Sequence, residues 1–315
     1  MNKTTELAGH VRGELAKAIV GQRESLDQLL LVMLVGGHAL VEGVPGLAKT
    51  LAVKALAQIF ELKFQRVQCT PDLMPADILG ANVFNLSTSS FNLHRGPVFT
   101  DLLLVDEINR TPPRTQSALL EAMEEKQVTI DGTRYQLSKS FAVFATQNPV
   151  EFEGTYPLPE AQLDRFLVKI GISYPDAEQE AQVLQNYQDG FDPRDLQRLN
   201  FSSVPLDSLL AARQEVAAVR VEPALFRYIV TLVARTRNST AVSLGASPRA
   251  AISLMLLAKA VAATEDRDYL IPDDVKIAAP PILRHRIVLK PEADLEGMTA
   301  DQVVREIVRS VEVPK

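Results

Sequence analysis

Short apolar runs alternate with amphipathic segments through the first part of the chain, and this alternation limits the possible folds more than any other feature. Five runs have the length of strands; they occupy residues 38–42, 62–68, 102–106, 141–146 and 167–172. Buried strands that alternate with helices are typical of a parallel sheet covered on both faces. The sequence therefore predicts an α/β fold with a five-stranded parallel sheet, preceded by helices at about residues 4–18 and 23–35.

Two segments interrupt this alternation and have the character of β-hairpins. One covers about residues 81–93 and turns at the polar residues 87–90, and the other covers about 128–137. The second turn is Asp131-Gly132, a strong signal for a two-residue hairpin loop. We predict that both hairpins are insertions on the core, at about 79–97 and 126–139.

The strand signals end near Tyr174, and helical patterns follow. We predict helices at about residues 177–187, 206–219, 223–235, 248–264, 273–283 and 301–309. Pro223 and Pro248 stand at helix starts, where proline is favoured. The prediction is therefore an α/β nucleotide-binding core over residues 1–174 and an all-α lid domain over residues 175–315.

Charge and cysteine content restrict the possible partners and compartments. The chain has 33 lysines and arginines against 39 aspartates and glutamates, a net charge of −6, which weakly disfavours nucleic acid as a partner. The single cysteine, Cys69, cannot form an internal disulfide, and we predict a buried structural thiol. Neither a signal peptide nor a run of roughly 20 apolar residues is visible, so we expect a cytoplasmic protein without membrane insertion.

Residues 43–50, Gly-Val-Pro-Gly-Leu-Ala-Lys-Thr, follow a predicted strand and precede a predicted helix. In that context the pattern indicates a phosphate-binding loop (Walker A), whose backbone N–H groups surround the phosphates of ATP or ADP. Lys49 adds charge at the phosphates, and the Thr50 hydroxyl is a ligand for Mg²⁺. The strict pattern has glycine where this chain has Ala48. The predicted nucleotide-binding residues here are Gly43, Val44, Pro45, Gly46, Leu47, Ala48, Lys49, Thr50 and Leu51.

Two adjacent carboxylates, Asp106 and Glu107, end the apolar run 102–105. Carboxylates at the end of a buried strand are costly unless they have a cation or a function. Beside a phosphate-binding loop, this pair is typical of a Walker B site. We predict that Asp106 holds Mg²⁺ together with Thr50, and that Glu107 polarises the attacking water in a Mg²⁺-dependent ATPase.

Two further residues fit the hydrolysis of ATP. Asn148 follows the run 141–146 and could orient water or sense the γ-phosphate, although a turn residue before Pro149 would have the same sequence. Arg165 precedes the last predicted strand and could be an arginine finger supplied to a neighbouring subunit. The alternative for Arg165 is a surface ion pair with Asp164, which would contribute under about 1 kcal/mol.

Taken together, these blocks closely resemble the MoxR family of AAA+ ATPases, in the clade with an insert at helix 2. The resemblance covers nearly the whole chain and is strongest at residues 43–50, 106–110, 116–123, 145–149 and 154–166. It implies that Val20 and Gly21 pack on the adenine base and that Arg249 is a sensor of the γ-phosphate. It also matches both hairpins to family insertions. Whether Arg249 serves its own subunit or the next stays open here.

The resemblance also implies a biological role. MoxR proteins are similar to chaperones and are often paired with a partner that carries a von Willebrand factor A-type domain. We therefore expect a ring, inferred to be a hexamer, that remodels or activates client protein complexes. The alternatives are the ATPase subunit of a magnesium chelatase, a nucleic-acid motor, which the acidic composition disfavours, and a scaffold that barely hydrolyses ATP.

Overall fold

A computed structural model describes residues 2–149 and 154–314 of the chain. Two helices, α1 (Lys3–Leu15) and α2 (Arg23–Val35), precede the sheet. The elements of the α/β region then follow in order: β1 (Ala39–Glu42), α3 (Lys49–Ile59), β2 (Phe64–Gln68), α4 (Pro75–Leu79), β3 (Gly80–Asn85), β4 (Ser90–Arg95), β5 (Leu102–Asp106), a 3₁₀ turn (Ile108–Arg110), α5 (Pro113–Glu125), β6 (Gln127–Ile130), β7 (Thr133–Gln136), β8 (Ala142–Gln147), α6 (Glu160–Leu163) and β9 (Val168–Gly171).

The main sheet has five parallel strands in the order β2-β5-β8-β1-β9, which confirms the predicted fold class. Every residue of β5 is buried because this strand lies inside the sheet with apolar side chains on both faces. β2 differs from the expected buried strand: it forms an edge, and only Val67 is buried. Its polar side chains are therefore available at the end of the sheet where the carboxylates lie.

Antiparallel hairpins occupy both places where the sequence indicates them. β3 pairs with β4 from Gly80 opposite Arg95 to Asn85 opposite Ser90, and β6 pairs with β7 around the turn at residues 131–132. On the first hairpin Phe84 and Phe91 face each other, with ring centroids 5.1 Å apart. Both rings are exposed, and so is Leu86 at the tip. This hairpin therefore presents apolar side chains to solvent.

The C-terminal region is helical, as predicted. It contains α7 (Ala177–Gln188), a 3₁₀ turn (Leu196–Leu199), α8 (Leu206–Ala218), α9 (Pro223–Arg237), β10 (Val242–Leu244), α10 (Pro248–Thr264), α11 (Pro272–Leu283), β11 (Val288–Leu289), α12 (Pro291–Leu295) and α13 (Ala300–Ser310). One feature corrects the all-α description: β10 and β11 form a short antiparallel ladder. These strands have three and two residues, too few to show a period in the sequence.

The N-terminal helices join the two regions. α1 and α2 pack against α8 and α10, while α11 packs against β9 of the main sheet. Apolar residues of all these elements belong to one continuous core. Cys69 is buried and free, as predicted, and burial raises its pKa to about 11. Among the helices of the described residues, none combines the length and apolar character needed to cross a bilayer.

Candidate active site

The phosphate-binding loop connects β1 to α3, so that Lys49 and Thr50 are the first residues of the helix. Gly43 is required by packing, because a Cβ at this position would lie 2.9 Å from the carbonyl oxygen of Ile172. Gly46 and Ala48 both have left-handed backbone, with φ of +85° and +56°. Left-handed backbone is normal for glycine but costs a residue with a Cβ about 1 kcal/mol. The departure at Ala48 therefore keeps the geometry of the loop at the cost of local strain.

The ammonium group of Lys49 lies inside this loop. Its Nζ donates to the carbonyl oxygen of Gly43 at 2.5 Å. The backbone N–H groups of the first turn of α3 lie at the same end of the helix, where the helix dipole favours an anion. The arrangement therefore has the two features that bind a phosphate, a positive side chain and converging N–H groups.

A cleft of about 660 Å³ lies beside the loop. Among the predicted residues, Val20 and the segment 46–51 line it. Gly21, which follows Val20 in the chain, lines a neighbouring pocket. The volume falls in the range of small-molecule sites. The cleft therefore has room for a nucleotide whose phosphates meet Lys49.

The opposite wall of the cleft was not predicted as part of the site. It comes from α7 and the segment after it, and its apolar side chains are Val183, Leu184, Tyr187 and Phe191. Leu184 and Tyr187 are 72% and 54% exposed, which is unusual for large apolar side chains on a helix. A signal was present in the sequence: these residues interrupt an otherwise polar helix. Their exposure to the cleft gives it an apolar face suited to an adenine ring.

The Walker B residues stand at the carboxyl end of β5. Asp106 is buried; its Oδ2 accepts a hydrogen bond from Arg66 Nε at 2.6 Å, and its Oδ1 accepts one from Thr146 Oγ1 at 3.2 Å. Glu107 has left-handed backbone, with φ of +59°. Strain of this kind in a residue other than glycine is common at functional sites. Glu107 stands between the end of β5 at Asp106 and the 3₁₀ turn that begins at Ile108.

Contacts from neighbouring strands fix Glu107. Its backbone N–H donates to Thr146 Oγ1 at 2.9 Å, and its Oε2 accepts from Gln68 Nε2 at 2.8 Å. Gln68 lies opposite Asp106 in the parallel register of β2 and β5. Arg66, Gln68 and Thr146 were missed by sequence reasoning, because their roles follow from strand pairing and not from any local motif.

The oxygen donors expected for Mg²⁺ lie at the start of α3 and at the carboxyl end of β5. Thr50 contributes a hydroxyl and Asp106 a carboxylate, the kinds of donor that Mg²⁺ prefers. The Asp106 carboxylate also forms a 2.6 Å ion pair with Arg66. No cluster of three or more histidine, cysteine or acidic side chains among residues 2–149 and 154–314 could hold a metal alone.

Asn148 directly follows β8, which lies between the Walker B strand β5 and the phosphate-loop strand β1. Its side chain is buried. The register places Gln147 opposite Glu42, and the carbonyl oxygen of Gln147 accepts a hydrogen bond from the N–H of Gly43 at 3.4 Å. The structure therefore places Asn148 at the end of the strand that lies between the two motifs.

Arg165 and Arg249 come together at a different place, on the carboxylate of Glu124 in α5. Arg165 Nε lies 3.1 Å from Glu124 Oε2, and Arg249, the second residue of α10, donates to Glu124 Oε1. The Arg249 hydrogen bond, and then the charge of Arg165, hold the pKa of Glu124 below its usual value. The arginine side chains are 30% and 47% exposed. Both cations are thus presented together at the surface.

The alternative for Arg165, an ion pair with Asp164, is met in a different form: Arg165 forms a partly exposed ion pair, but its partner is Glu124. Asp164 pairs with Arg286 at 2.6 Å between Oδ1 and Nε, and its Oδ2 accepts from Ser247 Oγ at 2.8 Å. Sequence reasoning missed Glu124 and Arg286 because each lies more than a hundred residues from one of its partners. Arg165 is therefore held by Glu124, and its neighbour Asp164 by the C-terminal helices.

Comparison with known proteins agrees with this geometry. Residues 38–168 match the model of the "ATPase family associated with various cellular activities (AAA)", and residues 234–307 match that of the AAA lid domain. The first match contains the loop, the Walker B pair and Arg165, and the second contains Arg249 and Arg286. The fold and the site together define an AAA-type P-loop ATPase.

Individual relatives cover almost the whole chain. It is 45% identical to the uncharacterized protein YeaC of Bacillus subtilis over 98% of this chain and 95% of the relative. It is 40% identical to the chaperone MoxR1 of Mycobacterium tuberculosis over 96% and 81%, respectively. A crystal structure of a Cytophaga hutchinsonii protein superposes with a TM-score of 0.89 at 43% identity, covering 99% of this chain and 97% of that one. The chain belongs to the MoxR family of AAA+ ATPases.

Proposed function

We propose that this chain hydrolyses ATP in a Mg²⁺-dependent reaction at sites shared between neighbouring subunits of a ring, expected to be a hexamer, and that this turnover remodels other proteins. The observation that carries the shared site is the position of Arg165 and Arg249. They meet at Glu124 and are partly exposed, while the nucleotide cleft is lined by the loop and α7. A pair of surface arginines suits the phosphates of a neighbouring subunit.

Within one subunit, the loop and the Walker B strand would bind and orient the reactants. Lys49 and the N–H groups of α3 would hold the phosphates, and Thr50 and Asp106 would hold Mg²⁺, which supplies charge neutralisation when bound. Glu107, kept in place by Gln68 and Thr146, would accept the proton of the attacking water. Asn148, which is buried, would contact the γ-phosphate and lose this contact when the phosphate is released.

Arg165 and Arg249 would complete the site from the next subunit. Positive charge at the transferring phosphoryl group is worth roughly 10³ to 10⁵ in rate when an arginine finger supplies it. Because Glu124 holds both guanidinium groups together, the proposal assigns Arg249 to the same neighbouring nucleotide as Arg165. Of the two choices that the sequence left open, the proposal therefore takes action between subunits.

The remodelling part of the proposal is supported by the family and by the β3–β4 hairpin. The relative MoxR1 is named a chaperone, and the hairpin exposes Phe84, Leu86 and Phe91 to solvent. Exposed apolar groups of this kind mark interaction surfaces. We propose that they transmit motion to a client protein complex, with a von Willebrand factor A-domain protein as adaptor. A cytoplasmic location is part of the proposal, since the reaction needs ATP.

The test is the ATPase rate as a function of protein concentration, measured for the wild type and for two inactive variants, Arg165→Ala and Glu107→Gln. A shared site requires specific activity to rise with concentration. A mixture of the two variants should recover turnover, because some interfaces combine an intact Glu107 with an intact Arg165. Flat specific activity together with an inactive mixture would refute the shared site.

A further inference from the structure

A buried arginine, Arg286, lies directly beneath the segment that carries Arg165. Its side chain is only 2% exposed. Its guanidinium group donates to the Asp164 carboxylate at 2.6 Å and to several backbone carbonyl oxygens, those of Phe166 at 2.6 Å, Leu167 at 3.0 Å, Asp164 at 3.2 Å and Ile282 at 2.6 Å. Most of these acceptors therefore belong to the residues that flank Arg165.

Burial of this cation is unfavourable by itself, and it lowers the pKa of Arg286 despite the opposing effect of Asp164. Buried charges persist where hydrogen bonds and an opposite charge compensate for the loss of water. Here the planar guanidinium spreads its donors over the backbone on both sides of Arg165, which a lysine could not do. Ser247, at the start of α10, adds a 2.8 Å hydrogen bond to the other oxygen of Asp164.

We infer that Arg286 and Asp164 are positioning residues, which hold the backbone on both sides of Arg165 so that its guanidinium group reaches the nucleotide of the neighbouring subunit. This inference rests on the proposed shared site. The Arg165 side chain forms an ion pair with Glu124 and is 30% exposed. Glu124 holds the guanidinium end of this side chain, and Arg286 holds the backbone from which it extends.

A purely structural role for Arg286 is the competing explanation, and the chain offers a matched control. Arg213 in α8 is a partly buried arginine that also donates to backbone carbonyl oxygens, those of Met33 at 2.8 Å and Lys139 at 3.4 Å. Burial lowers its pKa to about 10. Neither of these acceptors belongs to the segment that carries Arg165. Loss of either arginine should affect folding, but only loss of Arg286 should affect the function of Arg165.

The experiment compares Arg286→Met and Arg213→Met in the full chain, each alone and each mixed with Glu107→Gln. For Arg286→Met alone we expect kcat to fall at least about tenfold, part of the effect of a finger, while KM for ATP changes by less than about twofold. Mixing with Glu107→Gln should recover turnover, because that subunit supplies a correctly held Arg165. Arg213→Met should keep its kcat at temperatures where it is folded.

The outcomes separate this inference from the proposed function. If Arg165→Ala and Glu107→Gln fail to complement, the shared site is wrong, and the role of Arg286 is refuted with it. If that pair complements but Arg286→Met has wild-type kcat, or is not recovered by Glu107→Gln, the positioning role is refuted. Should Arg286→Met unfold, the double variant D164N/R286M removes the charge of both partners and is put through the same mixtures. Failure of that variant to recover also overturns the inference.

Discussion

His38 should make the stability of the sheet sensitive to acid. It precedes β1 and is buried, and its ring bridges two other elements: Nδ1 accepts from the N–H of Val143 in β8 at 2.9 Å, and Nε2 lies 3.1 Å from the carbonyl oxygen of Met123 in α5. Both contacts are satisfied by the neutral imidazole with its proton on Nε2. A second proton on Nδ1 would remove the acceptor that Val143 uses.

The size of the effect follows from the pKa. Burial first, and then the charges of Lys126 and Arg213, lower the pKa of His38 from 6.5 to about 4. The folded state therefore binds this proton at a lower pH than the unfolded state does. The contribution of His38 to the free energy of unfolding is fully present above pH 6.5 and is lost as the pH falls toward 4. One histidine of this kind costs about 1.4 kcal/mol per pH unit in that window, and His38 alone should cost about 3 kcal/mol.

The assay is urea unfolding followed by circular dichroism without nucleotide, between pH 4 and pH 7.5, for the wild type and for His38→Gln. The glutamine can keep one donor and one acceptor but does not titrate. The wild type should lose stability more steeply, by about 1.4 kcal/mol per pH unit below pH 6.5. His94→Gln, an exposed histidine on the β3–β4 hairpin, serves as the control and should leave the slope unchanged. Equal slopes for the wild type and His38→Gln would refute the reasoning.

Two predictions concern the nucleotide site itself. Leu184→Ala and Tyr187→Ala each remove apolar surface from the cleft, and burying such a side chain contributes about 1.5–3 kcal/mol. We therefore expect each variant to raise the Kd for ADP about tenfold in a fluorescence titration. An unchanged Kd would show that α7 does not contact the base. Thr146→Val removes the hydroxyl that bonds Asp106 and the N–H of Glu107 while keeping the side-chain volume. Loss of a hydrogen-bond partner of a metal ligand typically costs 10- to 100-fold in metal affinity or activity. We therefore expect the Mg²⁺ concentration for half-maximal ATPase activity to rise, or kcat to fall, by about tenfold. Wild-type values for both quantities would contradict this role of Thr146.

Much of the nucleotide-binding half could be predicted because its signals are local. The five strands are short apolar runs, and the loop with Lys49 and Thr50 lies in one contiguous segment between a strand and a helix. Asp106 and Glu107 are likewise adjacent in the chain. Asp131-Gly132 marks the second hairpin, where the structure has a turn with positive φ at both residues. In each case a single stretch of chain contains both the motif and the structural context that it needs.

The contacts around these motifs could not be predicted, because they depend on distant pairing. Gln68 reaches Glu107 only because β2 pairs with β5 in a register that sets Gln68 opposite Asp106. Glu124 meets Arg249 across 125 positions of the sequence. No periodicity or spacing in the chain carries that information. The sequence predicts α7 as a helix of the lid domain but does not show that its apolar face lines the cleft. An apolar stripe on a helix has the same pattern whether it packs on a core or lines a cleft.

The C-terminal region touches both ends of the proposed reaction, and this suggests how one site could affect the next. Tyr187 of α7 lines the cleft beside the phosphate-binding loop of its own subunit. Ser247 and Arg286, at the start of α10 and just after α11, hold Asp164 beside Arg165. A shift of α10 and α11 would therefore either move Arg165 or break several short hydrogen bonds of the buried Arg286. If nucleotide in the cleft moves these helices, then the position of Arg165 relative to the neighbouring subunit must change as well. The ion pair between Asp164 and the buried Arg286 is the contact through which that change would pass.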